Sequence, residues 1–133
     1  LKVPLLWSLH FSYWFIPISL GLFTLHYAGF NVAPSTALHG LTAGAISSLV
    51  LAMIARISLG HTGRQLQVNW LIKYAFSFVI LAGVTRLLAG LIATTLPISF
   101  YIISAVFWTL GYSFYLAVYL PILTSPRPDS RPG

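Results

Sequence analysis

The residues of this sequence that could take part in chemistry are its four histidines and a few arginines in apolar surroundings. His10, His26, His39 and His61 each offer a neutral imidazole, which is a common ligand of metal ions and of haem iron. A histidine in an apolar helix also serves to hydrogen-bond a neighbouring helix. On residue type alone, both interpretations stay open for each histidine.

Arg56 and Arg86 lie inside apolar segments, and Arg64 lies in a polar linker. A charge inside a membrane is costly unless a partner or a water-lined cavity accommodates it. The only acidic side chain, Asp129, lies outside the apolar segments. The partner of Arg86 would therefore be a backbone carbonyl, another subunit or an anionic ligand, unless its side chain extends to the membrane surface. Surface extension is easier for Arg56, which is nearer a segment end.

The histidine spacing predicts no complete metal site. His10 and His26 differ by sixteen positions, about 160° around an ideal helix, so they face opposite ways unless Pro17 reorients it. His39 and Met53 share one face of their helix. They offer only one candidate for an axial haem ligand at each depth in the membrane. The absence of cysteine excludes disulfides, thiolate sites and covalent c-type haem. No catalytic carboxylate pair, Ser-His-Asp set or phosphate loop is present, so a hydrolase is a poor fit and enzymatic activity stays open.

Four apolar segments must position these residues. They run over about 4–29, 33–60, 70–95 and 97–124, and each is long enough to span a bilayer. The first exceeds a typical signal-peptide core and no A-x-A-like site follows it, so we expect a span. With 58% hydrophobic and 6% charged residues, the sequence predicts an all-α polytopic membrane protein. Residues 1–124 form one four-helix transmembrane bundle in this prediction, and residues 125–133 form a disordered Pro/Arg tail.

The short turn between the first two segments indicates that these helices are neighbours. In that case the depths of their residues in the membrane can be compared. His10, Arg56 and His61 would then lie at similar depth. His26 and His39 would approach each other near the opposite surface.

Flanking charges predict the orientation. The loops 30–34 and 94–97 carry no charge, whereas five basic residues flank the spans on the other side: Lys2, Arg64, Lys73, Arg127 and Arg131. Under the positive-inside rule, both termini are cytoplasmic. The net charge of +6 is dispersed over segment ends, which favours an anionic membrane over nucleic acid. The expected partners are the lipid bilayer and other transmembrane helices or subunits, with no nucleic acid.

The second segment carries small residues at four-residue steps. They are Gly40, Gly44, Ser48 and Ala52, and the same steps continue to Arg56 and Gly60. Small residues let helix backbones approach closely in a membrane. We therefore expect this stripe to make a tight helix contact.

Several segments together resemble the NnrS family of membrane proteins. The most specific is AMIARISLGHTGR at 52–64. LWSLHFSY at 6–13 resembles the family's L-H-x-G-Y helix, and ALHGLTAGAI at 37–46 resembles its A-L-H-A-L-T-x-G-A-I segment. Residues 119–123 and 126–133 resemble the family's C-terminus. Ser12 stands where the family usually has Gly, Gly40 where it often has Ala, and His26 matches no family position.

The resemblance is to the C-terminal four-helix part of NnrS. It implies a multi-pass protein of the bacterial inner membrane that binds haem b, with copper as an open second cofactor, and serves nitric oxide response or protection in denitrification. It places the metal ligands and the partners of anionic groups, such as haem propionates, among six residues: His10, His39 and His61, and Arg56, Arg64 and Arg86.

The alternative is an accessory structural transmembrane subunit of a larger respiratory or similar membrane complex, without a cofactor of its own. Whether the chain is a fragment of a larger protein or a free-standing subunit stays open. The haem count, the axial ligands, the copper ligands and the fate of nitric oxide stay open as well.

Overall fold

The computed structural model describes residues 4–67, 69–92 and 97–128. Within these ranges the regular elements are all helical. The four long helices are α1 (Pro4–Tyr27), α2 (Pro34–His61), α3 (Trp70–Leu91) and α4 (Pro97–Leu123). Each is long and apolar enough to cross a membrane, which confirms the all-α class and the number of spans.

Four crossings return the chain to the side on which it began. We call the side where α1 begins and α4 ends the terminal side, and the other the hairpin side. Which of them faces the cytoplasm stays a prediction. Residues 129–133 of the predicted tail lie outside the described residues, as do positions 93–96, which include the end of the predicted third span and most of the predicted uncharged loop.

Two glycines end helices by the same device. Gly29 follows α1 with φ +88°, and Gly63 follows α2 with φ +68°. In each case the next residue donates its backbone N–H to a carbonyl five positions back, 3.0 Å away: Phe30 to Leu25 and Arg64 to Leu59. This is the Schellman motif, which uses glycine for its left-handed residue. Asn69 then caps α3 by accepting the Ile72 N–H at 3.1 Å.

The middle of α2 is a π-helix, from Gly40 to Ile46. Its wider turn keeps residues four apart more nearly aligned than an α-helix does. Gly40 and Gly44 are buried there against α1 and α3. A Cβ added to Gly83 of α3 would lie 2.6 Å from the Gly44 Cα atom. The close contact predicted for the small-residue stripe is therefore confirmed at Gly44.

Two apolar cores fill the bundle. The core toward the terminal side centres on Leu51, Ile72, Phe76 and Tyr119, and the one toward the hairpin side on Phe15, Ala37 and Leu87. Helix α4 packs mainly on α3 and leaves much of its surface exposed. This exposed surface is apolar, as a lipid-facing surface requires.

Candidate functional site

A cluster of three side chains joins α2, α3 and α4 near the hairpin side. Arg86 Nη2 donates a hydrogen bond to His39 Nε2 at 2.7 Å. The Arg86 guanidinium carbon also lies 4.4 Å from the centre of the Tyr101 ring, in cation–π contact. Arg86 and His39 each lie five residues from a helix end at the hairpin side, or about 7.5 Å along the helix axis.

The bonds of His39 determine its tautomer. Its Nδ1 lies 2.6 Å from the Ser35 carbonyl oxygen, so Nδ1 carries the proton and donates it. Nε2 is then the acceptor for Arg86, and the ring is neutral. A metal or haem iron on His39 Nε2 would have to displace Arg86. Sequence reasoning missed this partner because it considered backbone carbonyls, another subunit, anionic ligands and the membrane surface for Arg86, but no neutral side chain of the chain itself.

Like His39, His10 donates from Nδ1, but its Nε2 has no partner among the described residues. Its Nδ1 donates to the Leu6 carbonyl oxygen of its own helix at 2.7 Å. Its side chain is exposed and lines a groove with Leu9, Tyr13 and Trp14. Within the part of the chain that the structure describes, Nε2 therefore keeps a free lone pair on the outer surface of the bundle. His10 lies six residues into α1, about 9 Å from its start.

His26 closes the turn after α1. Its Nδ1 donates to the Val32 carbonyl oxygen at 2.9 Å, and its ring contacts that of Tyr27 edge-on. The helix that carries His10 and His26 continues through Pro17. A role in shaping this turn accounts for His26 without a ligand.

Arg56 and His61 lie together at the terminal-side end of α2. Both are exposed and line one groove with Met53, Ile57, Gly60 and Leu66. The groove has a volume of about 350 Å³. Among the described residues, neither side chain has a hydrogen-bonding or ionic partner.

The Arg64 side chain is hydrogen-bonded at the C-terminal end of α4. It is half-buried and donates long hydrogen bonds from Nη1 to the carbonyl oxygens of Ile122, at 3.4 Å, and Thr62, at 3.5 Å. A cation at a helix C-terminus stabilises the last carbonyls and the helix dipole. The Gly63 turn brings Arg64 to this position.

The predicted equality of depth for His10, Arg56 and His61 is wrong. Ser19 of α1 lies opposite Gly40 of α2, and Phe15 lies opposite Gly44. Continued along the antiparallel pair, this pairing puts His10 level with about residue 49, so Arg56 lies roughly 10 Å nearer the terminal side. The π-helix and the register of the pair are not visible in the histidine spacing.

The six predicted site residues thus lie at four separate positions in the bundle. His39 meets Arg86, Arg56 shares a groove with His61, and His10 and Arg64 each lie elsewhere. Within ranges 4–67, 69–92 and 97–128, no three histidine or acidic side chains come close enough to hold a metal ion.

Comparison with known proteins identifies one family. A family model described as NnrS protein matches residues 1–127. No curated protein and no solved structure gives a significant match.

Proposed function

The chain belongs to the NnrS family, and from this membership we propose that it binds haem in the membrane and serves nitric oxide response or protection. The observation that supports haem binding in this chain is the free Nε2 of His10. The ligand in this proposal is His10. Transmembrane helices other than α1–α4 would complete the site.

The position of His10 favours a covering group. Its Nε2 faces outward at a depth where lipid tails offer no hydrogen bond, so a free polar atom there is costly. An iron atom bound to Nε2 would remove that cost. The bond from Nδ1 to the Leu6 carbonyl orients the ring and makes Nε2 a better donor to a metal.

The residues beside His10 suit a flat apolar cofactor. Tyr13 and Trp14 are both well exposed and line the same groove. Their rings offer aromatic surface against which a porphyrin can pack. A bound haem would supply an iron that takes nitric oxide as a ligand, and the apolar groove would admit that uncharged gas from the lipid. For copper, the described residues offer no matching set of donors, and we assign it no role here.

The propionates of such a haem need cationic or hydrogen-bonding partners, and none of the three predicted arginines is placed to serve His10 in this structure. Arg86 is bound to His39 and Arg64 to the end of α4. Arg56 lines a different groove from His10. Transmembrane helices other than α1–α4 are the remaining source of partners for the propionates.

The alternative is the accessory structural subunit. The outward Nε2 of His10 supports it too, because a donor side chain on a neighbouring helix would satisfy that atom equally well. The two proposals differ in whether the purified protein carries haem through His10.

Replacing His10 tests the proposal. We expect His10→Ala to abolish or shift the haem bands in the reduced-minus-oxidised spectrum, and added imidazole to restore them in part. The protein should still fold, because the one hydrogen bond that His10 makes to the described residues is local to α1. His26→Ala is the control, since it removes an imidazole from the same helix and should leave the spectrum unchanged.

A His10→Ala protein with unchanged haem bands, at equal recovery, would remove this ligand from the chain. His39 and His61, the other two family-implied ligands, would then be tested in the same way. A spectrum insensitive to all three would leave the accessory-subunit proposal as the better one.

A further inference from the structure

The groove at the terminal-side end of α2 combines two kinds of surface. Along α2 its lining runs from the apolar Met53, through the neighbouring Arg56 and Ile57, to Gly60 and to His61 at the helix end. Leu66 of the following linker also lines it. Its volume of about 350 Å³ is roughly a dozen times that of one water in the liquid. The innermost of the helix residues is apolar and the outermost is the polar His61, which is the order of acyl chain and headgroup in a phospholipid.

The charge in this groove has no counterpart in the described structure. Arg56 makes no ion pair or hydrogen bond there, and no acidic side chain lies within the described residues. Arg56 lies five residues before the end of α2, or about 7.5 Å from it. A side chain as long as arginine reaches the headgroup level from that depth.

We propose that this groove binds an anionic phospholipid of the leaflet on the terminal side. The Arg56 guanidinium donates hydrogen bonds to the phosphate, and His61 donates an imidazole N–H to a second oxygen. An acyl chain lies along Met53 and Ile57. Basic pockets at the ends of transmembrane helices bind anionic headgroups through the same combination of charge and apolar contact.

Gly60 leaves room for that lipid. It lies in the groove between Arg56 and His61, and a Cβ added to it would meet no atom within 4 Å. A side chain at this position would begin in open space within the groove. Gly60→Leu therefore blocks the site while leaving both polar residues in place.

The test is lipid retention by the purified protein. Reconstituted in vesicles of equal phosphatidylglycerol and phosphatidylcholine and released into mild detergent, the protein should retain phosphatidylglycerol preferentially, as measured by mass spectrometry of the intact complex. Arg56→Gln should lower that retention about fivefold, the effect of one basic residue near an anionic surface. Gly60→Leu should lower it at least as much. Excess inorganic phosphate should displace none of the retained lipid.

Two matched controls separate the groove from the general surface. Lys73→Gln removes an exposed charge at the terminal side of α3, and Gly21→Leu adds a leucine at an open position on α1. Both should retain lipid as the unmodified protein does. Equal retention by Arg56→Gln, or no preference for phosphatidylglycerol, would overturn the proposal. So would loss of haem, rather than lipid, from Arg56→Gln, a result that leaves the His10 proposal standing.

Discussion

At the scale of single residues, the most informative side chain is Arg86, because it is a cation within a span and both of its partners are neutral side chains. His39 supplies a lone pair and Tyr101 the face of an aromatic ring. Both interactions lower the energy of this partly buried charge without a carboxylate. The Ser35 carbonyl completes the arrangement by holding the proton of His39 on Nδ1. The cluster is therefore self-consistent without a bound anion.

Removing only the histidine should cost stability. We expect His39→Leu to lower the free energy of unfolding by about 1–3 kcal/mol, because Arg86 loses the acceptor of a charge-assisted bond in apolar surroundings. The double variant His39→Leu/Arg86→Leu should be less destabilised than the sum of the single variants, since no unpaired charge remains. Thermal unfolding in detergent measures each step of this cycle.

His39→Gln serves as the conservative control. Its amide oxygen can accept from Arg86, so it should restore part of the lost stability. Strictly additive single effects, or a His39→Leu protein as stable as the original, would mean that the bond contributes nothing.

At the scale of the helix, the π segment explains how far the small-residue stripe runs. Gly40, Gly44, Ser48 and Ala52 are buried, whereas Arg56 and Gly60 are exposed. Beyond Ile46 the helix is α-helical, where each four-residue step turns about 40° past a full circle. The stripe therefore rotates out of the interface after Ala52. The same rotation places Arg56 in its groove.

Gly44 is the position where a side chain should do most harm. A Cβ there would collide with the Phe15 ring, and Gly83 of α3 approaches it closely. We expect Gly44→Leu to destabilise the bundle by about 3 kcal/mol or more, because α1 and α3 would both be forced away from α2. The measurement is the thermal midpoint and the folded yield in detergent.

Gly21→Leu is the comparison, since a Cβ at Gly21 meets nothing within 4 Å. It should unfold at nearly the original temperature. Equal behaviour of the two leucine variants would show that α2 does not need close contact at Gly44.

At the scale of the whole molecule, polar contacts attach α4 to the other helices. Trp108 Nε1 donates to Ser47 Oγ at 2.6 Å, and the Tyr112 hydroxyl donates to the Ser47 carbonyl oxygen at 2.9 Å. Ser104 Oγ donates to the Ala82 carbonyl oxygen at 2.8 Å. Lipid is as apolar as the side chains of α4, so hydrophobic burial alone gives little reason for it to join the bundle. Interhelical hydrogen bonds and close packing supply that reason.

The orientation of the whole bundle is testable because the chain has no cysteine. We expect a single cysteine in Ser130→Cys to react with an impermeant thiol reagent only when the inner face of the membrane is accessible, because the flanking basic residues predict cytoplasmic termini. Asn31→Cys, in the loop of the hairpin side, should react in intact cells. The reverse pattern would invert the orientation and assign the lipid groove to the outer leaflet.

The sequence by itself determined the number of spans, the all-α class and the family, because apolar length and local motifs do not depend on tertiary contacts. It also identified His39, Arg86, Arg56 and His61 as residues needing partners, since ionisable groups in apolar segments do. Only the tertiary structure decided that His39 and Arg86 are partners of each other, and that Arg56 and His61 have none among the described residues. The Arg86–His39 bond requires α2 and α3 to approach closely, and the separation of His10 from Arg56 follows from the α1–α2 register. These depend on side-chain packing and on a π turn that no local pattern in the sequence encodes.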